Sequence, residues 1–260
     1  MLNSNPDIQR ILTVDDNPYT LRIVEHALDK AGYEVLTANS GQDAMSVIQK
    51  HGLPHLAIVD INMPVMDGFE FCRTVHQFSD LPVIMLTAVN EEETIIKSIE
   101  EFAEDYIIKP FSPNELIARV KRVLRRIGTF SYALAPVTKI DERLSIDFAN
   151  REVIVDGEKS SLTPTETKLL YVLMRNAGQV VTTDFLLRRI WPLEEAYEDR
   201  LHVHVHRLRR KIELNPSKPE YIISERGSGY SFPSKPVHTT IMDRIAAAAG
   251  TVNTSGPVND

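Results

Sequence analysis

The sequence predicts two domains in series: a doubly wound α/β unit on a five-stranded parallel sheet, then a smaller α+β unit. Three observations carry this expectation. Short aliphatic runs alternate with amphipathic helical patterns from Arg10 to Arg126, and four of the five runs stop at a polar residue suited to phosphoryl chemistry. Beyond Ile127 the periodicity fades, and it returns at Leu144 with hairpin turns and a capped helix. A chain of 260 residues is long enough for two cores.

Ile11-Leu12-Thr13-Val14 stops at Asp15-Asp16, Leu56 to Val59 at Asp60, Val83 to Leu86 at Thr87, and Tyr106-Ile107-Ile108 at Lys109-Pro110. Tyr33 to Ala38 supplies the remaining strand. Runs of this length and composition suit parallel strands buried on both faces. Asn17-Pro18 opens the first helix and Gly32 closes it, and Ser40 opens the second, which ends near His51-Gly52. The punctuated loop Ile61 to Gly68 leads into a helix from Phe69 to Phe78. An amphipathic helix follows from Glu91 to Glu101, and Ser112-Pro113 starts the last one, to Arg126.

From 127 to 141, Gly128, Ser131, Pro136 and Thr138 read as a linker. Strands are expected at Leu144 to Phe148, Arg151 to Val155 and Glu158 to Leu162. Thr163-Pro164-Thr165-Glu166 is a capping box in front of an apolar stripe at Leu169, Leu170, Leu173 and Met174. A short helix opens at Thr183, a longer one spans about Glu198 to Glu213, and Tyr221 to Phe232 folds as a hairpin around Gly227-Ser228-Gly229. Three helices followed by a hairpin is the order of a winged helix-turn-helix. The expected boundaries are 8–127, a linker at 128–142, 143–233, and a largely disordered tail at 234–260 with a brief helical pattern from Thr240 to Ala249.

Composition narrows the classes. No run approaches membrane-spanning length, no signal or transit pattern opens the chain, and the single cysteine, Cys72, excludes an internal disulfide framework. These features lead to the expectation of a reducing cytoplasm. Residues 1–128 carry 12 Lys/Arg against 19 Asp/Glu, whereas 129–260 carry 17 of each. Within the neutral half, Arg200 to Lys211 holds five basic residues and no acidic one. Such a stripe suits an anionic partner.

Ligands of parallel sheets gather beyond the strands' carboxyl ends. Three carboxylates converging there, Asp15, Asp16 and Asp60, repel one another unless a hard divalent cation and the Lys109 ammonium neutralise them. Asp60 to Gly68 together with Lys109-Pro110-Phe111 resembles the receiver domain of two-component response regulators over residues 8–127. The resemblance implies that Asp60 is the nucleophile taking a phosphoryl group from a histidine kinase. It implies magnesium held by Asp16, Asp60 and the Asn62 carbonyl, with Asp15 acting through a bound water. Lys109 and Thr87 would contact phosphoryl oxygens, and Tyr106 would turn inward as Thr87 moves. Dimerisation on phosphorylation would use a face carrying Lys97, Glu104, Asp105, Glu115, Arg119 and Arg122. Phe102, where a helix-ending glycine is usual, departs from the family pattern. Val89 is unable to orient water, which implies a long-lived phosphoryl group.

The helix from Glu198 to Glu213 places apolar anchors at 201, 205, 208 and 212 and bases on its other faces. With Glu225 to Tyr230 it resembles the OmpR/PhoB-type effector domain across 143–233. Arg200, His202, His204, His206, Arg207, Arg209, Arg210 and Lys211 are the expected contacts to double-stranded DNA, joined by Arg226 in the wing. His202 stands where such helices commonly carry aspartate. The acidic loop Pro192 to Glu198 is a candidate contact for RNA polymerase. The reading is a transcription regulator with no turnover substrate, catalysing only its own phosphorylation and dephosphorylation. Two rivals stand against it. A haloacid-dehalogenase-like phosphatase would want aspartate where Asn62 stands, and a silent receiver sits poorly with the complete acidic set.

Overall fold

The computed structural model describes residues 8–88, 103–127, 135–192 and 196–234. The expected helix at Glu91–Glu101, Val89, Lys97 and Phe102 lie outside the described residues, as do most of the expected tail and the first part of the linker.

β1 (Arg10–Val14), α1 (Pro18–Lys30), β2 (Glu34–Ala38), α2 (Gly41–His51), β3 (Leu56–Asp60), α3 (Gly68–Val75), β4 (Val83–Ala88), β5 (Asp105–Lys109) and α4 (Pro113–Ile127) build the first half. The five strands form one sheet in the order β2-β1-β3-β4-β5, and every pairing is parallel. Alternate residues of each strand feed opposite faces, which is why the runs are almost wholly aliphatic. Ile11, Leu56, Ile58, Ile84 and Leu86 pack with α1 and α4 through Val24, Leu28, Leu116 and Val120. Leu12, Ala57, Val59, Val83 and Met85 pack with α2 and α3 through Ala44, Ile48, Phe71 and Val75.

The helix starts obey local rules. Asn17 accepts from the Tyr19 N–H with Pro18 beside it, Ser40 accepts from Asp43, and Asp67 accepts from Glu70. Cys72 is buried and its thiol is pushed up to about 12 by burial, so it behaves as a packed apolar residue.

The second half opens with β6 (Thr138–Lys139), β7 (Leu144–Asp147), β8 (Glu152–Val155) and β9 (Glu158–Ser161), an antiparallel sheet in that order. β6 falls inside the stretch expected as linker: Thr138 is buried and pairs with Ile146, so this end of the stretch belongs to the sheet. α5 (Pro164–Arg175) follows with both hydrogen bonds of its capping box formed. Next come β10 (Val180–Thr182), α6 (Thr183–Ile190), α7 (Glu198–Ile212), β11 (Ile223–Glu225) and β12 (Gly229–Ser231). The last sheet has the order β10-β12-β11, with β12 central. Gly229 sits at φ 151°, and a Cβ there would lie 2.0 Å from the Val181 carbonyl oxygen, so glycine is what lets the hairpin close on β10.

The halves touch. The Arg175 side chain, 7% exposed, donates to the Asp80 carbonyl at 2.7 Å and lies 3.2 Å from its carboxylate. Arg189 bridges Asp80 at 3.2 Å and Glu104 at 2.9 Å, and Glu104 also pairs with Arg126. Among the described residues no helix is long and apolar enough to cross a membrane.

Two imidazoles of the first half are held neutral. His55 accepts the Arg10 N–H at Nδ1, 2.9 Å away, and burial with the nearby Arg10 charge lowers its pKa from 6.5 to about 4. His76 lies 2.7 Å from the Leu81 carbonyl through Nε2, and burial takes it to about 4 as well. Unfolded histidines protonate below about pH 6.5, whereas these wait until about pH 4, so stability falls as pH drops through that window. Asparagine at 55 keeps an acceptor near Nδ1 and cannot titrate. Urea titrations of His55→Asn between pH 6.5 and 4.5 are expected to show a dependence flatter than wild type by about 1.4 kcal/mol per pH unit. An unchanged slope would contradict the buried neutral imidazole.

Candidate functional site

The register of the first sheet brings the strand ends level. Val14 pairs with Val59, which puts Asp15 beside Asp60. Asp60 pairs with Leu86, so Thr87 lies one residue further along, and Ala88 pairs with Lys109. The chain turns away after Asp60 through Ile61 to Asp67. Gly68 returns against the strand so closely that a Cβ there would meet the Asp60 carbonyl oxygen at 2.4 Å. The Gly68 N–H donates to the Ile61 carbonyl at 3.0 Å, closing this loop beneath the site.

At the centre, the Lys109 ammonium lies 2.7 Å from Asp15 Oδ2 and 2.7 Å from Asp60 Oδ1. Asp15 is fully buried, and its other oxygen accepts the Asn17 N–H at 2.9 Å. Asp16 is exposed. One carboxylate oxygen from each of Asp15, Asp16 and Asp60 lies within 4.8 Å of the others, the oxygen-donor set a hard divalent cation prefers. Thr87 is buried with its hydroxyl donating to the Ala88 carbonyl at 3.2 Å. Tyr106 is half-buried, and the Arg119 guanidinium lies 5.9 Å from its ring centroid. The Asn62 side chain is exposed, on the loop directly after Asp60.

The electrostatics are unbalanced toward negative. Burial pushes the Asp60 carboxyl above its ordinary range, Lys109 pulls it back, and the Asp15 and Asp16 charges push it up again. Burial alone would lower the Lys109 ammonium, but the hydrogen bonds and charges of Asp15 and Asp60 outweigh it, and its pKa is raised. The site therefore holds a permanent cation facing acids that still lack neutralisation.

Of the residues expected on a dimer face, four form an internal network. Asp105 is buried and accepts from Arg119 at 3.1 Å and Arg122 at 2.6 Å, and Glu115 pairs with Arg119 at 3.0 Å. Glu104 is engaged by Arg126 and by Arg189 of the second half.

On α7, Leu201, Val205, Leu208 and Ile212 are buried, as their spacing requires. Arg200, His202, Val203, His206, Arg207 and Arg210 are exposed along the opposite arc, and Arg226 is exposed at the hairpin tip. The structure does not gather every expected basic residue on that arc. His204 is half-buried, with its ring centroid 5.5 Å from that of Trp191, and burial lowers its pKa. Arg209 donates to the Ile222 carbonyl at 2.9 Å and to the Ser224 hydroxyl at 2.9 Å, fastening the hairpin to the helix. Lys211 donates to the Ser161 carbonyl at 2.8 Å and to Glu166 at 2.7 Å, tying α7 to the capping box of α5. Arg200 keeps its guanidinium 4.6 Å from the Trp191 ring centroid. Sequence reasoning did not single out Asp80, Arg175 or Arg189, since no local pattern marks a contact made across 95 residues of chain.

Comparison with known proteins assigns both halves of the chain to families. Residues 11–121 match the family model "Response regulator receiver domain", and residues 157–232 match "Transcriptional regulatory protein, C terminal". The chain belongs to the OmpR/PhoB type of response regulators, a receiver domain followed by a winged-helix DNA-binding domain. It is a DNA-binding response regulator of a two-component system and a regulator of transcription. The probable transcriptional regulator ycf27 of Pyropia yezoensis is 39% identical over 230 residues, covering 86% of this chain and 94% of that protein. The DNA-binding response regulator MtrA of Mycolicibacterium smegmatis is 35% identical over 223 residues, covering 85% of this chain and 96% of that protein. A solved structure, response regulator DrrB, an OmpR/PhoB homolog from Thermotoga maritima, is 31% identical, covering 87% of this chain and 99% of its own, at a TM-score of 0.42.

A carboxyl raised by burial and by its acidic neighbours opposes folding while it is charged. Asp60→Asn removes that charge and leaves Lys109 paired with Asp15, so the variant is expected to unfold a few degrees higher than wild type in metal-free buffer. Calorimetry showing a lower midpoint would contradict the excess of negative charge in the pocket.

Proposed function

We propose that Asp60 accepts a phosphoryl group from a phosphohistidine of a sensor histidine kinase. One Asp60 oxygen attacks phosphorus, the phosphorus–nitrogen bond breaks, and an aspartyl phosphate remains while the histidine leaves with the bonding pair. The observation that carries the reading is the Lys109 ammonium, 2.7 Å from both Asp15 and Asp60. In-line transfer through a loose transition state asks mainly for positioning and charge neutralisation, and Lys109 supplies a fixed positive charge. Thr87 offers a hydroxyl one residue beyond the level of Asp60, suited to a second phosphoryl oxygen. Tyr106 follows the movement of Thr87.

Asp15, Asp16, Asp60 and the Asn62 backbone carbonyl fit magnesium, as an all-oxygen donor set with surplus negative charge. When bound, the ion would neutralise charge on the transferring group. The chain has no turnover substrate beyond its own phosphorylation and dephosphorylation.

The added charge acts by biasing the face formed by Glu104, Asp105, Glu115, Arg119 and Arg122 toward a two-fold dimer, with Lys97 contributing from outside the described residues. Glu104 is already shared by Arg126 and Arg189, so pairing through this face competes with the contact between the halves. The dimer sets two α7 helices on half-sites of double-stranded DNA about one helical turn apart. Arg200, His202, His206, Arg207 and Arg210 on the exposed arc, and Arg226 at the hairpin tip, meet bases and phosphates. Arg209, Lys211 and His204 support that surface from its flanks. The functional units run over 8–127 and 143–233, with β6 extending the second toward its linker. The protein works in the cytoplasm, where the loop at 192–198 touches RNA polymerase.

Incubation with a phosphorylated kinase domain and magnesium is expected to place one alkali-labile phosphate on the wild type and none on Asp60→Asn. Label persisting on Asp60→Asn, or turnover of small phosphate esters by the wild type, would contradict this reading.

A further inference from the structure

His202 is the residue of the exposed arc of α7 whose ring is fixed by a neighbour from the hairpin. Its Nδ1 lies 2.5 Å from the Tyr230 hydroxyl, and the two rings meet edge to face with centroids 6.1 Å apart. Tyr230 is 4% exposed, and the bond to His202 is the one its hydroxyl makes among the described residues. Burial raises the Tyr230 pKa, so the phenol keeps its proton near neutral pH. Among the described residues that proton has one hydrogen-bonded acceptor. A buried donor left without a partner costs more than a phenol oxygen that accepts nothing, so the hydroxyl donates and Nδ1 accepts. The imidazole proton then sits on Nε2, at the far edge of the ring.

We propose that His202 is a specificity-determining residue that presents a fixed Nε2–H donor to an acceptor on a base edge in the major groove, and that Tyr230 is the positioning residue that fixes its polarity. The ligand class is a base edge that offers acceptors, with guanine favoured because O6 and N7 are both acceptors whereas adenine and thymine offer one each. A phosphate is the other acceptor chemistry in reach of this surface. Two features favour the base. His202 stands about one turn into the helix, where recognition helices meet bases. Glu198 and Asp199, one turn earlier in α7, oppose a phosphate at that end. Exposed Val203 beside it suits a thymine methyl at the adjoining step. The inference rests on the reading of α7 as the DNA-reading helix.

Site selection from a randomised duplex pool, using the full-length phosphorylated protein, tests it. Wild type is expected to prefer guanine at one position of each half-site. His202→Ala is expected to relax that position roughly fivefold to tenfold and leave the others unchanged. His202→Asp, an acceptor, is expected to move the preference there to cytosine or adenine, whose amino groups donate. Tyr230→Phe keeps the ring, frees the tautomer, and is expected to relax the same position partially. A uniform loss of affinity with a flatter salt dependence in His202→Ala would make His202 a phosphate contact and overturn the proposal. An unchanged site profile in both His202 variants would overturn it too. Arg210→Ala separates the two levels: if it leaves affinity and salt slope untouched, the reading of α7 fails, whereas a weakened Arg210→Ala beside unchanged His202 variants refutes this inference alone.

Discussion

One ammonium group organises the receiver half. Lys109 stands between Asp15 and Asp60 at equal distance, and both acids are almost fully out of water. Without a cation there, the two carboxylates and Asp16 would have to protonate, separate or draw in solvent. The parallel sheet supplies the geometry, because pairing Val14 with Val59 and Ala88 with Lys109 brings three strand ends to one rim. The lysine makes that rim tolerable, yet it does not balance it. The remaining negative charge suits the pocket to a divalent cation.

The surroundings make the pocket stiff where stiffness matters. The buried strand interiors feed two helical layers, so the strand ends cannot drift without disturbing both. Gly68 permits the returning chain to lie against Asp60 and Ile61, which closes the loop on the Asp60 backbone. At the other end of the sheet, Asp80 and Glu104 are held by Arg175 and Arg189 from the second half. The site and the contact between halves thus lie at different ends of β4.

Much of this was readable in the sequence because single residues carried it. Four aliphatic runs ending at Asp15, Asp60, Thr87 and Lys109 announced both the parallel sheet and its rim. Asn17-Pro18, Ser40 and Thr163 to Glu166 marked helix starts, and each forms the expected cap. What stayed hidden depends on long-range pairing. β10 is three residues long and exists because β12 lies beside it, and β6 is two residues long and depends on β7. The same holds for charge. Helical spacing put Arg209 and Lys211 on the basic faces as expected DNA contacts but could not show that their long side chains reach back to the Ile222 and Ser161 carbonyls. Nor could it show that His202 meets Tyr230, 28 residues away.

Lys109 and the neighbouring acids act on Asp60 in opposite directions inside one pocket. The most direct measurement is the titration of the Asp60 carboxyl by carbon-13 NMR in wild type and in Lys109→Met, without divalent cations. With the lysine removed, burial and the Asp15 and Asp16 charges act unopposed, so the Asp60 pKa, already above the ordinary carboxylate range, is predicted to rise further. An Asp60 titration unchanged by the loss of Lys109 would contradict the shared pocket.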